Sequence, residues 1–89
     1  MSSITLAFSS SGLKALSALP EGTRAVVVEV HPSRDGRADR LLALGVTPGA
    51  HVTVLQTFPG IVFMCDQTEL AVERDVAHSV FVRPEVNRS

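Results

Sequence analysis

Cysteine occurs once in these 89 residues, at Cys65, so no disulfide can close within the chain and no cysteine pair is available for a zinc knuckle. Stability must come from packing, and a lone thiol agrees with a reducing compartment. Charge of one sign is equally scarce. The net charge of −1 lacks the basic footprint of a nucleic-acid binder, so phosphate backbones are not expected partners. No apolar run approaches the roughly 20 residues that span a bilayer. Residues 1–11 lack the basic start and continuous apolar centre of a secretory signal, so the expectation is a cytoplasmic protein without direct membrane insertion. There is no glycine-rich cradle followed by Lys-Ser or Lys-Thr, which argues against nucleotide binding by this chain itself.

What the chain does have is 45% hydrophobic residues and no low-complexity tract, enough for one domain with one small core. The stretch from Asp39 to Val54 is the most informative. Leu41 and Leu44, three apart, can share a helix face; Gly45 suits the left-handed residue that ends a helix; Pro48 follows where a helix cannot resume. Beyond Pro48-Gly49 the period changes to two, with Val52 and Val54 alternating with His51, Thr53 and Leu55, as in a strand with one face against a core. Upstream, Asp35 is placed to accept the free amide hydrogens of the first helical turn.

Further strands are expected at Arg24 to Val30, Ile61 to Cys65, Glu69 to Glu73 and Ser79 to Arg83, besides His51 to Thr57. Turns are expected at Phe58-Pro59-Gly60 and Asp66-Gln67-Thr68, and one helical turn over Arg74 to His78. Leu13, Leu16 and Leu19 fit an N-terminal helical turn stopped by Pro20-Glu21-Gly22. About five short strands with one short inserted helix favour a mainly β, small SH3-like barrel, because closure removes exposed edges. The alternation assigns Val26, Val28, Leu41, Leu44, Val52, Val54, Val62, Leu70, Val72, Val80 and Val82 to the core, with neighbours exchanging faces if a register slips by one. Residues 1–12 are expected to be a flexible serine-rich segment, 13–84 the folded domain and 85–89 a tail.

Materials for chemistry are thin. Cys65 with His51 or His78 is the sole thiol–imidazole combination, and nothing in the spacing brings them together; a free cysteine is more often a small buried apolar group. The serines at Ser9, Ser10 and Ser11 have no neighbouring base. No catalytic residue and no cofactor is assigned. A metal site built from His31, His51, Cys65, Asp66, Glu69 and His78 lacks the paired short spacing of specific ligands, leaving at most weak divalent-ion binding.

The residues resemble the FeoA domain family, small SH3-like proteins linked to bacterial ferrous iron uptake. Leu16 and Leu19 look like its opening leucines, Gly22 and Ala25 its first turn and strand, and Arg40-Leu41 with Leu44-Gly45-Val46 and Pro48-Gly49 its most characteristic stretch. Leu70-Ala71-Val72, Ala77, Val80 and Val82 are similar to its closing strands. Phe58-Pro59-Gly60 is shorter than the glycine-containing turn of many relatives, and Gln67-Thr68 stands where they carry a glycine. Such loops often carry specificity.

The resemblance implies a non-catalytic accessory that docks on the cytoplasmic part of the membrane ferrous iron transporter FeoB and modulates its assembly or nucleotide cycle. Candidate partner-binding residues are Arg37 and Arg40 at the helix start, and Phe58, Pro59, Gly60 and Ile61 around the middle turn. The same barrel resembles the C-terminal domain of DtxR-type repressors, so the alternative is a metal-responsive regulatory module binding a divalent cation. Exposed strands also leave homo-oligomers open.

Overall fold

The computed structural model describes residues 12–85. The expected flexibility of residues 1–11 and the end of the tail fall outside this range. Among the described residues six strands form one antiparallel sheet in the order β1-β6-β2-β3-β4-β5. They are β1 (Lys14–Ala15), β2 (Arg24–Val30), β3 (His51–Gln56), β4 (Ile61–Cys65), β5 (Thr68–Val72) and β6 (Val80–Pro84). A 3-10 turn at Leu16–Ala18 follows β1, α1 (Arg37–Ala43) lies between β2 and β3, and α2 (Arg74–Ala77) between β5 and β6. The two-residue β1 pairs with Val82 and Phe81. It makes six strands where about five were expected, because two residues are too few to show a periodicity.

The inner faces meet around Leu16, Val27, Val46, Val52, Val54, Ile61, Phe63, Val80 and Val82, all fully enclosed. Two bulges bend the sheet. Val28 is the extra residue between the pairs Val27↔Val82 and Glu29↔Phe81, and Leu55 is the extra residue between Val54↔Phe63 and Gln56↔Val62. A bulge sharpens local twist and curls a sheet over its own core.

The expected core is correct for Leu41, Val52, Val54, Val80 and Val82, and wrong in phase for two strands. In β2 the buried residues are Ala25 and Val27, with Val26 and Val28 half-buried; in β4 they are Ile61, Phe63 and Cys65, with Val62 half-buried. Both strands are apolar on both faces, so the period-2 signal carries no phase. Leu70 and Val72 are half-buried at the core margin. Leu44 is 53% exposed because the helix ends one residue before it.

That helix end is built as the glycine predicts. Gly45 takes φ 101°, its N–H reaches the Leu42 carbonyl at 3.2 Å, and the Val46 N–H reaches Leu41 at 2.9 Å. This pair of bonds satisfies the last carbonyls and turns Val46 inward onto Leu41. At the other end Gly36, at φ 78°, occupies the cap position. The capping bonds come from its neighbours: Asp35 Oδ1 accepts the Arg37 amide at 3.1 Å, and Ser33 Oγ accepts the Ala38 amide at 3.0 Å.

Candidate docking site

The helix start and the strand end beyond β5 are joined by one arginine. Arg37 Nε pairs with Asp35 Oδ2 at 2.6 Å, its Nη2 with Asp75 Oδ2 at 2.7 Å, and its Nη1 with Glu73. Asp35 is held down to about 2, first by the backbone N–H of Arg37 and then by the hydroxyl of Ser33 and the guanidinium. Three carboxylates around one cation leave this corner acidic. All four groups are open to solvent, so water screens each pair and their contribution to stability is small; their effect is to fix the helix start against α2.

Between Glu73 and Asp75, Arg74 turns the other way and its Nη2 donates to the Thr57 carbonyl. The two candidate patches are therefore linked through residues 73–75. Phe58 is 79% exposed, Gln56 Nε2 donates to its carbonyl at 2.9 Å, and the Phe58–Pro59 peptide is cis. Pro59 is exposed as well. Gly60 sits close under β5: a Cβ there would lie 2.9 Å from the Val72 carbonyl oxygen.

Ile61 corrects the sequence-based set. It is 0% exposed and belongs to the core, so its side chain cannot touch a partner. Its strand is apolar throughout, which concealed the inward direction.

Beside this corner runs a shallow groove of about 240 Å³, lined by Arg37, Arg40, Leu41, Leu44, Ala71, Val72, Glu73 and Val76. Its floor is apolar and its helix rim carries Arg40. Sequence reasoning named Arg37 and Arg40 but missed Leu44, Ala71, Val72, Glu73 and Val76 as their neighbours. The Glu73-Arg74-Asp75 run was a visible charge signal; nothing local linked it to an arginine 38 residues upstream.

The chemistry-bearing residues stay apart. His31 pairs with Glu29 at 3.2 Å and packs on Phe81, with ring centroids 4.6 Å apart. His51 pairs with Glu85 at 3.1 Å, and His78 meets Ser17 at 3.1 Å. Cys65 is enclosed and donates to the Gly45 carbonyl at 3.5 Å. Burial, and secondarily the charge of Asp66, pushes its thiol up, away from the reactive thiolate. Among the described residues no three His, Cys, Asp or Glu side chains gather as a metal site. No helix among them is long and apolar enough to cross a membrane.

The family model for the FeoA domain matches residues 14–84. The chain belongs to the FeoA domain family. Among solved structures, this FeoA domain is similar to the FeoA protein from Chlorobium tepidum at 30% identity, with a TM-score of 0.74, covering 85% of this chain and 74% of that one. It is similar to Stenotrophomonas maltophilia FeoA complexed with zinc at 27% identity and a TM-score of 0.70, covering 78% and 88%. That protein is described as an SH3 domain possibly acting as a bacterial ferrous iron transport activating factor, and the FeoA domain here has the same mainly β, SH3-like architecture. A likeness of fold extends to IdeR of T. acidophilum at 17% identity and a TM-score of 0.73, covering 82% of this chain and 34% of that one. No curated protein matches the sequence.

The zinc of the Stenotrophomonas relative raises the question of a metal here. His51 with Glu85 is a pair, not a set of three, so the described residues do not fit a specific divalent site.

Proposed function

We propose that this FeoA domain is a non-catalytic accessory of ferrous iron uptake, cytoplasmic, that docks on the cytoplasmic part of the FeoB transporter and biases its assembly or nucleotide cycle. The observation that carries the reading is family membership over residues 14–84, in a mainly β barrel whose described His, Cys, Asp and Glu side chains do not gather three together. Ferrous iron is cargo of the transporter in this reading. A rigid module changes a partner's equilibrium only by binding one of its states better than another, so the docking surface carries the function. The exposed Phe58-Pro59 turn supplies an apolar anchor, and the neighbouring Arg37 corner supplies charges that orient the encounter.

Titration of the full chain against the soluble part of the cognate transporter tests this. Saturable binding is expected, weakened at least tenfold by Phe58→Ser while the fold is retained. No saturable binding at several hundred micromolar refutes it.

A further inference from the structure

We propose that the outer edge of β5 and the groove beside α1 form a binding site for an extended apolar segment of another protein, which adds as a seventh strand and places an Asp or Glu side chain on Arg40. The site goes beyond the transporter reading, because its geometry does not depend on which protein supplies the segment.

Two independent features of the fold coincide there. The first is backbone. β5 ends the strand order and pairs with β4 alone among the described residues. Cys65↔Thr68 closes the two-residue hairpin through Asp66 and Gln67, so Thr68, Leu70 and Val72 turn their N–H and C=O toward β4. By the alternation of an antiparallel ladder, Glu69 and Ala71 turn theirs outward. Neither residue's backbone appears in any other bond among the described residues. Two donors and two acceptors thus stand in a row at the spacing an added strand matches.

The second feature is the groove. Ala71 and Val72 form one wall, Arg40 and Leu41 of α1 with Leu44 just past its end form the other, and Val76 lies at the end. A strand lying on the β5 edge would direct every second side chain into this trench. Its exposed apolar floor includes Leu44, more than half open to solvent.

Charge selects the occupant. Arg37 is matched by three carboxylates, whereas Arg40 has no carboxylate within 4 Å among the described residues. A segment with a carboxylate beside its apolar residues neutralises the free guanidinium, and a segment with a lysine there is repelled.

Selection of a random displayed peptide library on the immobilised full chain provides the probe, followed by titration of one selected synthetic peptide. Selected peptides are expected to alternate apolar residues and to be enriched in Asp or Glu. Binding should slow amide exchange at Glu69 and Ala71. Arg40→Glu should weaken it at least tenfold, with an unchanged amide spectrum elsewhere. Ala71→Pro, which removes an outward N–H that β4 does not use, should weaken it similarly. Failure to enrich any peptide, enrichment of basic peptides, or binding that survives both substitutions overturns the proposal. So does a stable dimer of the free chain that Ala71→Pro dissociates, since a second copy would then own the edge.

Discussion

Replacing Ile61 by alanine separates the observed register of β4 from the one that its sequence allows. Ile61 is fully enclosed and pairs with Val72 across the ladder, while its neighbour Val62 is half-buried on the other face. Truncating a fully buried isoleucine costs about 2–5 kcal/mol from lost transfer energy and the cavity left behind. The half-exposed valine has less to lose, about 1 kcal/mol. An 89-residue chain is expected to hold only about 4–13 kcal/mol in total, so Ile61→Ala removes a large share of it. With a urea slope of about 1 kcal/mol per molar, typical of small domains, the unfolding midpoint should fall by about 2–5 M for Ile61→Ala and about 1 M for Val62→Ala. Equilibrium urea unfolding followed by circular dichroism reads both. Equal shifts, or a larger one at Val62, would show that the strand is turned over and that Ile61 is free to meet a partner after all.

Gly60→Ala should destabilise by about 1–3 kcal/mol, seen as a lower Tm, because the new Cβ would meet the Val72 carbonyl oxygen at 2.9 Å, a backbone atom that cannot swing away. Asp35, lowered from 3.8 to about 2, contributes stability that is fully present above pH 4 and lost as the pH falls toward 2. Asp35→Asn should flatten that limb of a midpoint-versus-pH curve, and a steeper limb in the variant would contradict the assignment. The same limb should shrink in 1 M salt, because the Asp35–Arg37 pair is exposed. Cys65, enclosed and with its thiol pushed up by burial, should react with iodoacetamide at pH 8 at least tenfold more slowly in the folded chain than in urea. Equal rates would mean that the β4 end opens freely.

Legibility in the sequence followed a physical rule. Where one face of a strand is polar, the phase can be read: His51 and Thr53 alternate with Val52 and Val54, and both valines are buried as expected. Where both faces are apolar, as in Ala25 to Val28 and Ile61 to Cys65, the period remains but its phase is lost. Core and docking residues were exchanged there, Ile61 among them. The candidate site shows the same division. Arg37, Arg40 and the Phe58 turn stood out as isolated signals, but that Arg37 meets Glu73 and Asp75, and that Arg74 reaches Thr57, depends on contacts between segments far apart in the chain.

Local chemistry alone determined the helix stop at Gly45, the turns and the mainly β class. These follow from backbone preference and residue type, which act over a few positions. Only the tertiary structure decided which face of each apolar strand turned inward, that among the described residues β5 ended the sheet with Glu69 and Ala71 facing outward, and that Leu44 lay open beside Arg40. Those outcomes depend on bulges, strand order and the closing of one small core, and no window of sequence contains them.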